Sequence, residues 1–556
     1  MTTALLRPDV TVETADVGPL KVDGGWIELD SSVVPYASAQ IDIPLTADTS
    51  LEGFDPRDNV RVVVEASAAA ETTSRSFDLG LRERTVNHEA KVVTIKLASD
   101  EALLLDYATL TLDSGARAKQ NSVRAVVNYV LARIGAALAS GGPDADVTAY
   151  WQVTNLFPDP SAENATVAWS PDVASPNIVR DGSTYAPPFE GSYLLRVQAT
   201  STSPLSIGQT LPVGVTQGKT YTAALYLRSY AGNTKNARVT IRWTGPTGNF
   251  IRDTQGAYAM TPSSKWNRYV VTAPAPPGAT GARLFIDWSG THSVGNLHFV
   301  DGIMFHEGNE AIPFYTGSTP ANAHYSYSWA RDVNGSASTR EPVIERSPEL
   351  FTWKPGTSAW DYLQPLITSV GLRLFCDEKR VWRLIDPADY SVAGLLSVSP
   401  ANATESGDTI TREDAEIFAT GVVARYVWRD DLDIDQVAFD SAGTPQKVYV
   451  RDFPHPYPGP GAAAAILARR LGTGRTQDVV TLPQWTATPG MVVSITMPST
   501  VEQQGKLSAV RFSLDDDALM SLGTRGLIDI PEDSWFAVDP SEAWTDPPDI
   551  TWNQWV

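Results

Sequence analysis

The chain has 556 residues with 43 Lys+Arg against 64 Asp+Glu, a formal net charge of −21. At roughly 150 residues per domain that length predicts three or four domains, and 42% hydrophobic residues exclude global disorder. A single cysteine, Cys376, excludes an internal disulfide framework and any multi-Cys zinc site.

The longest apolar runs, such as Gly461 to Ala468, fall short of the ~18 residues a membrane span needs. Met1 to Arg7 lacks a charged segment followed by an apolar one, so no signal peptide is expected and folding in a cytoplasm is. The acidic balance opposes nucleic-acid binding, because a polyanion gains nothing from phosphate counterion release. Its simplest reading is solubility, and it leaves room for DNA that passes without sticking. The charge is unevenly spread. Residues 1–154 carry −9, 155–318 carry +1 and 319–556 carry −13. The middle stretch also holds 19 of the 51 aromatic residues, which marks it as a separate module.

In chain order, residues 10–100 read as short strands. Gly25 to Asp30 and Ala39 to Pro44 alternate, Val60 to Glu65 and Val92 to Leu97 are β-branched, and turn clusters such as Asp55 to Asn59 intervene. This spacing suggests a small barrel or sandwich. Residues 122–138 switch to helical spacing (Val123, Val126, Val127, Val130, Ile134, Leu138), with Ser122 as cap and Gly141-Gly142-Pro143 as stop.

In 155–318, Tyr221 to Leu227, Val239 to Trp243 and Ala282 to Trp288 alternate without a helical interruption, which is sandwich behaviour. A second helix follows Thr357, with Ser358 and Asp361 as a capping pair, Pro365 expected to kink it or hold it to two turns, and Gly371 as stop. Leu372 to Ile385 reads as a hairpin turning at Asp377-Glu378-Lys379. A third helix is expected over Gly461 to Leu471, then strands at 478–482, 491–497 and 506–513. Trp535 to Val556, with Trp544, Trp552, Trp555 and Pro547-Pro548, reads as an arm on this chain or a neighbour.

Most local motifs are rejected. Gly214 to Thr220 is one residue short of a P-loop and precedes a strand, not a helix. His306 to Glu310 lacks a second histidine, and the six histidines are scattered. Cys376 reads as a small core residue. The acidic run Asp430 to Asp435 reads as a solvated loop or strand end. Carboxylate pairs among 64 acids carry no weight for glycosidase chemistry.

The middle block resembles the carbohydrate-binding-module jelly rolls. The phrases Asn155 to Pro160, Trp266 to Tyr269, Phe299 to Gly308 and Ile312 to Gly317 carry that resemblance in order. It implies a sugar-binding face, where rings stack on apolar C–H faces and polar side chains read hydroxyls. Alternation points Tyr226, Arg228, Arg242, Phe285 and Asp287 outward, and Trp169, Tyr185, Phe189 and Phe250 are candidate loop aromatics. Trp266 reads as a core anchor. The resemblance also implies a possible structural calcium held by Glu163 and Asp301.

The flanks resemble siphophage minor tail proteins of actinobacteriophages, carried by Trp360 to Leu363 and Gly371 to Leu384. Their order is similar to that of baseplate (tail-tip) hub proteins, with Gly421 to Tyr426, Ala462 to Leu471 and Pro489 to Val493 as further matching phrases. The implied fold class is mainly β with α+β flanks: hub-type small β-barrels with short helices plus an inserted β-sandwich jelly roll. The implied domains are an N-terminal barrel (1–110), a helix and hairpin domain (111–154 plus 319–400), the jelly roll (155–318), a C-terminal barrel (401–535) and the arm (536–556).

The implied role is structural, not enzymatic: a homotrimer at the virion tail tip. Its implied partners are the distal tail protein or tail-tube ring, the tape-measure protein and other tail-tip proteins. DNA would touch it only in passing, and a host cell-surface glycan would be a possible ligand. The alternative is a secreted polysaccharide-degrading enzyme with a carbohydrate-binding module. It would need a signal peptide and a catalytic domain of its own. A third reading makes the jelly roll a spacer with no sugar affinity.

Overall fold

A computed structural model describes residues 9–46, 51–67, 74–164, 169–413, 418–429, 435–470, 474–516 and 518–530. The arm at 536–556 and most of the Asp430 to Asp435 run lie outside the described residues. The fold is mainly β, because alternating sequences dominate and the α-helices are short. No described helix is long and apolar enough to cross a membrane. The chain forms two units, one from residues 1–149, 346–428 and 436–556, the other from 150–345 and 429–435.

The first unit is built from both ends of the chain. Its main sheet has 13 strands. The strand Gly24–Asp30 pairs with Gln503–Ser513, setting Trp26 opposite Ser513 and Leu29 opposite Val510. Ile27, Leu29, Val510 and Phe512 share one buried cluster, so the pairing is held by a common apolar face. The N-terminal and C-terminal stretches, expected as separate barrels, therefore meet in one sheet. Within the N-terminal part, residues 20–30 bond to both the strand Asp9–Glu13 and the strand Ala37–Pro44, with the Val22 N–H on the Val10 carbonyl at 3.1 Å and the Asp23 N–H on that of Asp42 at 2.8 Å.

The helical expectations differ in length. Ser122 caps its helix by accepting the Ala125 N–H at 3.1 Å. That helix spans Val123–Leu131 and ends in a short 3-10 turn at Gly135, whose φ of 73° stops it before Leu138. Ser358 Oγ accepts the Asp361 N–H at 3.0 Å and donates to the Asp361 carboxylate at 2.8 Å. The helix Ala359–Ser369 is 11 residues long and continues through Pro365, because Leu363, Leu366 and Ile367 bury one face. The hairpin pairs Arg373–Cys376 with Trp382–Ile385, and Cys376 is buried there. The helix Ala462–Arg470 packs Ala463 and Ile466 against Val422, Tyr426 and Phe453 of a three-stranded sheet.

The second unit is a β-sandwich. One sheet has the order Asn177–Asp181, Leu194–Gln198, Leu297–Glu307, Thr220–Ser229, Asn267–Pro274. The other has the order Phe250–Gln255, Asn236–Thr244, Gly281–Trp288, Leu205–Gln209, Trp169–Val173, with two short strands attached. All pairings in both sheets are antiparallel. Val239, Ile241, Trp243, Leu284, Ile286 and Trp288 point inward to meet Leu225, Leu227, Val300 and Phe305. Burying each large apolar side chain contributes about 1.5–3 kcal/mol before entropy is counted. A three-stranded sheet of Tyr325–Trp329, Ser338–Pro342 and Val153–Asn155 also belongs to this unit, which extends it beyond 155–318. The P-loop-like stretch is a turn, with Gly218 at φ 84°, entering the strand Thr220–Ser229.

Candidate sugar-binding face

The outward positions of the second sheet form one wet surface. Antiparallel register sets Arg238 opposite Asp287 and Arg242 opposite Arg283. It also sets Ser206 opposite Asp287 and Gly208 opposite Phe285. Asp287 Oδ2 accepts from Arg238 Nε and Thr240 Oγ1, each at 3.0 Å, while Oδ1 accepts from Ser206 Oγ at 2.9 Å. Arg242 donates to both Asp253 oxygens, at 2.9 and 3.1 Å, and stands 3.7 Å from Asp172. This fork holds the guanidinium pKa above its ordinary value.

Aromatic rings are threaded between these charges. The Arg242 guanidinium lies 3.9 Å over the Phe285 ring and 5.6 Å from that of Phe250. Arg238 lies 4.5 Å over Tyr258. Phe285 is outward yet only 6% exposed, because Arg242 covers it from above and it lies flat across Gly208. A Cβ at Gly208 would stand 2.4 Å from that ring, so glycine is required by the close approach. The open rings are Phe250, 61% exposed, and Tyr258, 45% exposed. Arg238 and Arg242 are four residues apart on one strand, so their backbones stand about 13 Å apart along it.

The sequence candidates divide three ways. Arg242, Phe285 and Asp287 come together on this face with Phe250. Tyr226 and Arg228 lie on the outer face of the other sheet. There Tyr226 stacks at 3.8 Å on Phe189, and Arg228 Nε donates to the Ser263 carbonyl at 3.0 Å. Trp266 packs by the same loop, its indole donating to the Pro187 carbonyl at 3.2 Å. Tyr185 is exposed and meets Tyr230 edge-on. Trp169 is corrected: it is 8% exposed and packs with Phe157 in the sandwich core. Its strand begins with an inward residue, which its short sequence does not reveal. Arg238 and Tyr258 were missed. Arg238 sits on the same alternation as Arg242, and that signal could have found it.

Glu163 and Asp301 act as staples for the loop 189–193. Asp301 Oδ2 accepts the N–H groups of Phe189 and Glu190, at 2.7 and 3.2 Å, and Oδ1 that of Gly302 at 2.7 Å. Glu163 Oε1 accepts those of Ser192 and Tyr193, at 2.6 and 2.9 Å. Burial, with Glu163 nearby, pushes the Asp301 carboxyl up to about 8 against the pull of its three N–H donors. Burial likewise raises Asp159 to about 6. Both Asp301 oxygens and Glu163 Oε1 thus take backbone donors, and no group of three or more His, Cys, Asp or Glu able to hold a metal occurs among the described residues. Calcium takes about six to eight oxygens, so these two carboxylates would need carbonyl and water oxygens beside them.

No family model matches this chain, and no curated protein matches it. Solved structures do. A xylan-binding domain (CBM22-1) from Paenibacillus barcinonensis Xyn10C is 12% identical, with 30% of this chain and 99% of that one covered, at a TM-score of 0.23. TmCBM61, solved with β-1,4-galactotriose, is 15% identical, with 28% and 99% covered, at 0.21. The enzymatically active domain of bacteriophage CBA120 tailspike protein 4 is 15% identical, with 28% and 21% covered, at 0.22. Likenesses this distant assign the chain to no family.

Proposed function

We propose that the inserted sandwich is a glycan-binding module and that the unit made from the chain ends is the structural hub of a siphophage tail tip. One observation carries the first part. Phe250 and Tyr258 are open rings on one sheet face, each beside a guanidinium fixed by carboxylates. Such a surface offers stacking for sugar C–H faces and preorganised donors for hydroxyls. Arg242 and Arg238 read hydroxyls, Asp287 accepts from them, and Phe285 is the floor that keeps Arg242 flat.

The hub reading rests on the resemblance of the flanks and is supported by their charge, −9 and −13, against +1 in the middle. In this reading the protein is a non-catalytic homotrimer. It meets the distal tail or tail-tube ring, the tape-measure protein and other tail-tip proteins, and an acidic wall lets DNA pass. The sandwich takes host cell-wall polysaccharide. Glycan-array binding of the full chain tests the module: Phe250→Ala and Tyr258→Ala each weaken binding about fivefold, ~1 kcal/mol. Unchanged binding in both overturns it. Negative-stain images of the purified chain and of assembled tails test the hub. Three-fold rings are expected, and monomers under both conditions contradict it.

A further inference from the structure

A cleft of about 570 Å³ opens in the unit made from the chain ends, a size that suits a small molecule. Four guanidiniums line it, those of Arg61, Arg82, Arg133 and Arg380, beside the carboxylates of Asp100 and Asp106. Leu81, Leu103 and Ile134 add apolar wall.

The four arginines come from separate places in the fold. Arg61 stands opposite Gly80 in the pairing of Arg61–Ser67 with Ser74–Asn87. A Cβ at Gly80 would lie 3.3 Å from Arg61 Nη1, so the glycine leaves that side chain room. Arg82 sits in a bulge between Leu81 and Glu83, a device that re-aims a strand residue. Arg133 lies in the 3-10 turn that follows the helix Val123–Leu131. Arg380 closes the hairpin turn at φ 63°, a left-handed conformation that favours glycine or asparagine. Such strain concentrates at binding sites, where the surroundings hold it in place.

Here the holding group is Asp100, which is buried. Its Oδ1 accepts from Arg61 Nη1, and its Oδ2 accepts from Arg380 Nε at 3.0 Å. Arg61 is saturated within the fold, since Nε and Nη2 donate to the Asp78 carboxylate and carbonyl at 2.9 and 2.6 Å. Arg380 is not. Neither of its Nη groups donates to a described residue, and the side chain is half exposed. Arg133 uses Nη2 alone, on Asp113 at 3.0 Å and on the Tyr129 hydroxyl at 2.6 Å. Arg82 reaches Asp106 with both Nη groups, at 2.7 and 2.8 Å. A network with only a structural role would spend each guanidinium as Arg61 is spent.

Fixed guanidiniums with free N–H groups match the paired oxygens of carboxylate and phosphate. The chain's net charge of −21 does not cancel them, because charges farther than ~8 Å are screened at physiological salt.

We propose that this cleft binds a small, multiply charged anion, a phosphate ester or a polycarboxylate, through the free N–H groups of Arg380 and Arg133. Asp100 acts on Arg380 as a positioning residue. The proposal depends on neither the glycan reading nor the hub reading.

Calorimetric titration of the full chain with pyrophosphate and, separately, with citrate tests it. Binding of pyrophosphate alone assigns the cleft to phosphate esters, binding of citrate alone to polycarboxylates, and binding of both supports the shared chemistry. Arg380→Gln and Arg133→Gln are each expected to weaken binding about tenfold. Arg425→Gln, whose guanidinium is paired with Asp452 at 2.6 Å and does not line the cleft, is expected to leave it unchanged. Should Arg380→Gln fail to fold for want of its bond to Asp100, Arg133→Gln alone decides. Failure of both probes to bind, binding unchanged in the cleft variants that fold, or an equal loss in Arg425→Gln overturns the proposal.

Discussion

The two outer faces of the inserted sandwich share one alternation and end in opposite states. On the seven-stranded sheet, Arg238 pairs with Asp287 and Arg242 with Asp253, and all stay at the surface. On the five-stranded sheet, Tyr226 lies under Phe189, held by a loop that Asp301 and Glu163 staple. Facing away from a core is therefore not the same as facing water. A loop can roof an outward face when carboxylates collect its backbone N–H groups. Those carboxylates do for a loop what a strand neighbour does for a ladder.

Four experiments break or sharpen this contrast. The largest effect is expected for Asp301→Ala, which leaves the N–H groups of Phe189, Glu190 and Gly302 without their acceptor. It should destabilise the sandwich by about 3 kcal/mol or more, read as a lower melting temperature. A loss under 1 kcal/mol would mean that the roof does not depend on the staple.

The second effect is on pH dependence. The Asp301 carboxyl is raised to about 8 in the folded chain and Asp159 to about 6, while an unfolded aspartate stays near the ordinary 3.8. The folded state thus holds protons that the unfolded state has released. The stabilisation is full below about pH 4 and is lost as pH rises toward 8. Melting of the sandwich is expected to weaken by on the order of 2 kcal/mol between pH 5 and 8, and Asp301→Asn should flatten that slope. A rise over the same range would contradict the assignment.

Tyr226→Ala should cost about 2 kcal/mol of stability, because its ring is stacked and roofed, yet leave glycan affinity unchanged. Phe250→Ala and Tyr258→Ala should do the reverse, changing stability by less than about 0.5 kcal/mol. Calorimetric melting beside glycan binding separates the two patterns.

Much of the sandwich was legible in the sequence, because period-2 runs such as Ala282 to Trp288 fix which residues meet the core. The Ser358 cap was legible too, since its partner lies three residues away. What was not legible is non-local. Nothing near Trp26 announces Ser513 as its partner. Nothing near Phe285 shows that Arg242 will cover it. Trp169 opens a strand too short to show which way it faces. Sequence alternation placed Arg242, Phe285 and Asp287, and Phe250 was marked as a loop aromatic, while the open ring of Tyr258 beside Arg238 came from packing.

Binding of the full chain to cell-wall polysaccharide, measured by titration calorimetry for the wild type, Phe250→Ala, Tyr258→Ala and Tyr226→Ala, tests the central claim most directly. The account predicts affinity in the wild type, about fivefold weaker binding in the first two variants and none of that loss in the third. Equal affinity across all four, or a loss confined to Tyr226→Ala, would contradict it.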